Sequence, residues 1–181
     1  MVVSFLKDFF KGLVLSGFVC SSLMAADYTI SKSSGNKVDF SAVGNPGFLR
    51  INGKGAHAEG KLSEAGGVLS GELSVALDAF DTGMGLRNDH MKDKYLETKK
   101  FPKASFKLAP YKISETSSDF SGDLTLKGVT KKISGKMSVK GKVLVAKFTV
   151  SLVDFPVGVP GWKGVTMAKE VDISVEFPLG S

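Results

Sequence analysis

Cysteine is nearly missing. Cys20 is the only one in 181 residues, and it lies in an N-terminal stretch that reads as removable. The rest of the chain then has no disulfide framework, cysteine metal site or thiol nucleophile. Histidine is almost as scarce, and the two present, His57 and His90, are too few for a metal site without several converging carboxylates. The sequence has no G-x-S-x-G elbow, no H-E-x-x-H pair and no G-x-x-x-x-G-K phosphate cradle. These gaps argue against an enzyme, and neither a metal nor a cofactor is expected. The 24 lysines and arginines are scattered among 18 acidic residues rather than gathered into a stripe with interleaved aromatics, so nucleic acid is not an expected partner. The net charge of +6 reads as a soluble, mildly basic surface, with attraction to anionic headgroups left open.

Long hydrophobic runs are also lacking; a membrane span takes ~20 apolar residues. The N-terminus carries something shorter. Lys7 and Lys11 give a positive flank, Gly12 to Val19 are apolar, and Met24-Ala25-Ala26 supply small residues for a signal peptidase. A cleaved signal peptide is expected from Met1 to about Ala26, with the cut after Ala25 or Ala26, making the protein periplasmic or otherwise exported. Val19 is a poor fit for the small residue that precedes a lipidated cysteine. Residues 27–181 then form one domain, long enough to bury ~68–70% of its unfolded surface.

Period-two alternation runs through that domain. Val38 and Phe40 alternate with Asp39 and Ser41, Leu73, Val75 and Leu77 with Glu72, Ser74 and Ala76, and Ile173, Val175 and Phe177 with Asp172, Ser174 and Glu176. One apolar and one polar face is the pattern of an antiparallel sheet wetted on one side. Taking Lys127-Gly128 as a two-residue hairpin loop sets Leu126 opposite Val129, Thr125 opposite Thr130 and Asp123 opposite Lys132. On the inner side it lays Phe120 over Gly135. A second loop at Lys140-Gly141 sets Met137 opposite Leu144 and Ile133 opposite Phe148, giving a three-strand meander. Lys131 falls on the inner face in this register, either as a rim residue that snorkels outward or as a fault in the register. The strand spacing of about 8–12 residues, without βα units, points to an all-β sandwich or barrel, and a barrel leaves no unpaired edge. The one interruption, Asp81 to Lys103, predicts a short helix near residues 84–97, capped by Asp81 or Thr82, with Met91 and Tyr95 at i, i+4.

The densest polar cluster is Gly85-Leu86-Arg87-Asn88-Asp89-His90-Met91. In a structural reading Arg87 pairs with a carboxylate or helix carbonyls and His90 satisfies a buried acceptor. In a functional reading Arg87 stands at a cavity mouth and holds a polar or anionic headgroup.

Three stretches together resemble the YceI family of exported proteins with a lipocalin-like barrel. Leu77-Asp78-Ala79-Phe80-Asp81-Thr82-Gly83 resembles the family's strand end before its polar helical segment. Arg87-Asn88-Asp89-His90-Met91, with Tyr95-Leu96 and Phe101-Pro102-Lys103-Ala104-Ser105-Phe106, resembles its Arg-Asp-x-His to Phe-Pro-x-x-x-Phe signature. The run from Phe120 to Lys131 resembles its Gly-Asp-Leu-Thr-x-x-Gly-Val-Thr hairpin. This sequence departs from the pattern in carrying Asn88 after the arginine, in lacking a histidine around Ala42-Val43, and in having Leu152 and Val153 where an arginine often precedes Asp154-Phe155.

The resemblance implies a single antiparallel lipocalin-like barrel of about eight strands with the helical segment inserted. It implies a lumen that holds a polyisoprenoid or similar long-chain amphiphile, with the protein acting as a carrier. The lumen-lining candidates are Phe40, Leu73, Val75, Leu77, Phe106, Leu108, Met137, Leu144, Phe148 and Val150, with Arg87 and His90 at the mouth. Alternation does not distinguish an open lumen from a filled one, so a filled barrel serving as a stress-related interaction protein is the alternative. The expected partner is a lipid-like small molecule; transient membrane-surface contact and a homodimer stay open.

Overall fold

The computed structural model describes residues 25–45, 47, 49–162 and 165–180. The expected signal segment lies outside these residues, except for Ala25 and Ala26, which open the first strand. The strands are β1 (Ala25–Ile30), β2 (Lys37–Asn45), β3 (Arg50–Ala56), β4 (Ala58–Ala65), β5 (Val68–Ala76) and β6 (Lys103–Lys112). They continue with β7 (Ser118–Leu126), β8 (Val129–Lys140), β9 (Val143–Ser151), β10 (Gly161–Trp162) and β11 (Val165–Pro178).

All pair antiparallel in one sheet of order β1-β4-β5-β6-β7-β8-β9-β11-β2-β3, with β10 beside β11. β1 and β2 run along β4 and β3 in turn, so each of these pairs is one long strand with an interruption. Counted this way the wall is built from the long strands β1/β2 and β3/β4 together with β5 to β9 and β11, in accord with the expected barrel. The sheet curls into a half-barrel. It is continuous at β4, which β1 and β5 flank, and opens along β3. There, among the described residues, the free edge meets a single bridge, Lys54 N–H to Asp81 O at 2.9 Å and Asp81 N–H to Lys54 O at 2.8 Å.

The interruption at His57 has a local cause. Asn36 is fully buried; its Nδ2 donates to Ser31 O (2.6 Å) and Ala58 O (3.0 Å), and its Oδ1 accepts the Ala58 N–H (2.7 Å). One side-chain amide thus stands in for a peptide unit where the ladder breaks, so the bend leaves these buried polar groups bonded.

The meander register holds for the first hairpin: Leu126 faces Val129, Thr125 faces Thr130, Asp123 faces Lys132 and Phe120 faces Gly135. The Thr125 and Thr130 hydroxyls bond at 2.7 Å. Lys131 faces Leu124 beside the hairpin turn and is exposed, so it leaves the wall at the rim. The second loop is displaced by one position from the expected one. Lys140 pairs with Val143, which makes the loop Gly141-Lys142 and sets Met137 opposite Ala146, Val139 opposite Leu144 and Gly135 opposite Phe148. Gly141 takes φ +59 at the first loop position, where a type II′ turn places glycine. The slip moves each partner by two residues, so inner and outer faces are unchanged.

β6 and β7 pair only from Ser105 to Leu108. Pro110 has no N–H to donate, and the β5–β6 register skips a residue beside it. Tyr111 closes the resulting gap from inside: its buried hydroxyl donates to Met137 O (2.8 Å) and bonds Ser118 Oγ (2.7 Å). Around Tyr111, the buried Leu69, Val139, Leu144 and Leu179 fill this end of the barrel. The antiparallel run places the long connections 77–102 and 152–160 at the opposite end.

Aromatic rings lie over glycines on neighbouring strands: Phe40 over Gly53, Phe106 over Gly122, and Phe120 and Phe148 against Gly135. Phe106, Phe120 and Phe148 form a cluster with centroids 5.9–6.3 Å apart. A Cβ at Gly135 would meet Lys147 O at 2.4 Å and Phe148 Cβ at 2.6 Å. Gly135→Ala is therefore expected to lower stability by about 1–3 kcal/mol in urea unfolding, through displacement of backbone and ring. An unchanged midpoint would show that the cluster does not need the glycine.

Candidate functional site

The inward rows leave a cavity between them. It is apolar and of about 660 Å³, within the ~300–1,000 Å³ of small-molecule sites. Every apolar candidate named from the sequence borders it: Phe40, Leu73, Val75, Leu77, Phe106, Leu108, Met137, Leu144, Phe148 and Val150. Arg87 and His90 border it too. Sequence reading passed over Leu49, Ile51, Phe80, Leu152 and Met167, which also line it. Of these, Ile51 carries the inward parity of β3, while Leu49 and Phe80 sit in connections where alternation gives no signal.

The insertion between β5 and β6 closes over this space. It contains helix α1 (Gly85–Asp89) and a wider turn, His90–Tyr95, in which the Leu96 N–H reaches back five residues to Met91 O at 2.8 Å. Such π-type turns recur at functional sites. Met91 and Tyr95 both face the cavity from it. The expected capping by Asp81 or Thr82 does not occur; the residue before α1 is Met84, whose side chain caps nothing. Gly83, at φ +78, turns the chain so that Asp81 accepts the Gly83 N–H (2.8 Å) instead of a helix amide.

Thr82 is the hub of a small network. Asn88 Oδ1 accepts both the Thr82 N–H (2.8 Å) and its hydroxyl (2.7 Å), while Asn88 Nδ2 donates to Asp81 (2.7 Å). Arg87 donates through Nε to Thr82 Oγ1 (3.0 Å) and through a terminal nitrogen to Thr82 O (2.6 Å). Its partner is thus neither a carboxylate nor a helix carbonyl, and the guanidinium is held in place at the cavity wall. His90 is exposed, so the reading in which it satisfies a buried acceptor does not hold. The Asn88 amide and the Gly83 N–H hold the Asp81 carboxyl below the usual range.

The far end of the insertion is fastened by a residue that sequence reading treated only as a turn. Lys127, with its side chain 5% exposed, donates to Tyr95 O at 2.9 Å and pairs with Glu97. Lys127 takes φ +49, a position where hairpin turns favour Asn, Asp or Gly; that mismatch was the available signal. The hydrogen bond from Lys127 lowers the Glu97 pKa.

The YceI-like domain matches residues 28–179. The chain belongs to the YceI family. Relatives include a UPF0312 protein of Ectopseudomonas mendocina, 30% identical over 97% of this chain and 91% of its own. Another, from Pseudomonas savastanoi pv. phaseolicola, is 31% identical over 84% of this chain and 86% of its own. Among solved structures, BcnA of Burkholderia cenocepacia superposes with a TM-score of 0.63 at 22% identity, covering 81% of this chain and 97% of BcnA. A polyisoprenoid-binding domain from Saccharophagus degradans, implicated in plant cell wall breakdown, superposes with a TM-score of 0.61 at 13% identity. That match covers 87% of this chain and all of that domain. At these identities both structures establish a common fold.

Where the YceI pattern has an aspartate, Asn88 supplies an amide that donates to Asp81. Asn88→Asp would remove that donor and set two carboxylates together, costing about 1–2 kcal/mol in the stability of the insertion by hydrogen exchange. Glu97 gives a second expectation. Because its pKa is lowered on folding, its stabilisation is complete above the unfolded value and is lost as pH falls through the folded one. Protection of the Leu96 and Thr98 amides, measured against their intrinsic exchange rates, should therefore decline as pH falls below the ordinary glutamate range, and Glu97→Gln should remove that acid step.

Proposed function

We propose that this protein carries a polyisoprenoid or a similar long-chain amphiphile in its lumen, outside the cytoplasm, without covalent chemistry. The observation that supports it most directly is a continuous apolar cavity, roofed by the insertion, with the Arg87 guanidinium and the exposed His90 at its border. Burying a methylene is worth ~0.8 kcal/mol, so a few isoprene units offset an association cost of about 4–15 kcal/mol. The unused donors of Arg87 and the His90 ring suit a polar or anionic headgroup at the wet end. The structural likeness to a polyisoprenoid-binding domain agrees with this reading. Periplasmic residence is part of the proposal and rests on the N-terminal segment described above. A filled barrel, the competing reading, leaves no room for a chain, and the wall here encloses open space.

Solvent extraction of the purified protein followed by mass spectrometry should recover a long-chain lipid; finding none, together with no uptake of added isoprenoid quinones or amphiphiles, would overturn the proposal. Ala104 is half-buried and borders the cavity. Ala104→Phe should fill part of the lumen and weaken ligand binding at least tenfold, about 1.4 kcal/mol, in fluorescence titration while the protein stays folded.

A further inference from the structure

Among the described residues, the large apolar side chains that are more than half exposed all sit at the mouth end: Met84 at 55%, Leu86 at 64% and Val153 at 58%. At the closed end the most exposed are Val68 and Val143, each at 37%. Met84 and Leu86 also border the cavity, so the lumen lining includes the most exposed apolar side chains of the insertion. Val153 follows Leu152, another lining residue, on the neighbouring connection.

Cations accompany this rim. Lys94 Nζ lies 5.5 Å from the Tyr95 ring centroid and Lys100 Nζ lies 5.1 Å from that of Phe101. Neither of them, nor Lys92, makes an ion pair among the described residues. Of the carboxylates nearby, Asp93 pairs with Lys99 and Glu97 with Lys127, while Asp81 accepts from the neutral Asn88 amide and Gly83 N–H and keeps its charge in the field of Lys92. Asp81 and Asp89 are thus the carboxylates of the insertion outside any ion pair among the described residues, against the lysines Lys92, Lys94 and Lys100. The insertion therefore presents apolar side chains together with an excess of unpaired lysines, the combination that interfacial segments use on anionic lipid.

We propose that the mouth end docks on an anionic bilayer, with Met84, Leu86 and Val153 entering the interface and Lys92, Lys94 and Lys100 meeting the headgroups. The inference rests on the carrier reading for its purpose. In this orientation the lumen faces the membrane, and an apolar chain passes between bilayer and cavity without crossing water. So few inserted side chains give a weak and reversible attachment, as a carrier that must leave the surface requires.

Vesicle flotation of a chain beginning at Ala25, which keeps every strand of the sheet, tests docking apart from the N-terminal segment. The protein should float with vesicles containing phosphatidylglycerol, less with phosphatidylcholine alone, and less as salt is raised. Val153 and Lys94 lie outside the lumen lining. The double substitution Val153→Ser, Lys94→Glu should cut flotation about tenfold, while uptake of a fluorescent isoprenoid delivered from ethanol stays at the wild-type level. Wild-type protein that fails to float with phosphatidylglycerol vesicles, or a double variant that floats as well as wild type, overturns the proposal. Self-association abolished by the double substitution, without flotation, also overturns it and assigns the surface to a second copy of the chain. If the wild type takes up no isoprenoid yet floats in the expected way, docking stands and the carrier reading falls.

Discussion

The inward side chains of the wall form one connected cluster that also lines an apolar cavity, so this barrel is held by that cluster together with continuous backbone pairing. Every local device in the wall serves that ladder. Asn36 supplies the bonds missing at the His57 bend, and Tyr111 bridges β6 to β7 and β8 where Pro110 stops pairing. The phenylalanine rings over Gly53, Gly122 and Gly135 cover backbone that would otherwise face the lumen. The closed end is packed with the buried Leu69, Val139, Leu144 and Leu179, and loop-to-loop bonds such as Leu179 N–H to Lys142 O (2.6 Å) tie it together.

The insertion obeys a different logic. It buries no side chain within α1 or the wide turn, so packing alone does not fix it. It is instead fastened at both ends by polar groups: the Thr82–Arg87–Asn88–Asp81 network where it leaves β5, and the Lys127 ammonium where it returns to β6. Removing the Glu97 partner would leave a nearly buried ammonium with one carbonyl, whereas the network at Thr82 joins neutral groups to one half-buried guanidinium and the exposed Asp81 carboxylate.

The sequence revealed most where two periodicities agreed. The first hairpin was legible because Thr125/Thr130 and Asp123/Lys132 paired on the outer face while Phe120 and Gly135 paired on the inner one. The second turn was misplaced because Lys140-Gly141 and Gly141-Lys142 both offer a glycine, and the resulting slip of two leaves every side chain on its face. The bend in the β3/β4 long strand was invisible for a similar reason. Ala56 and Ala58 keep the same parity and the same burial, each 1% exposed, across His57. The Lys127–Glu97 pair joins residues 30 apart with no local pattern, and emptiness of the lumen is a property of facing rows that no single row contains.

That difference between rows and the space they enclose also bears on why the ends of the barrel are unlike. A cavity that receives a long apolar chain needs one end where water is excluded and one where the chain enters. The closed end meets the first need with buried leucines, Tyr111 and short turns. At the other end Met84 and Leu86 border the cavity from the insertion and stay largely exposed. Exposed apolar surface is unfavourable for a protein alone in water, and among the described residues the most exposed of it lies in the connections that frame the entrance. With Cys20 as its sole cysteine, the chain has no internal disulfide to offset that exposure. Its stability must come from the sheet and the closed end rather than from the connections at the entrance.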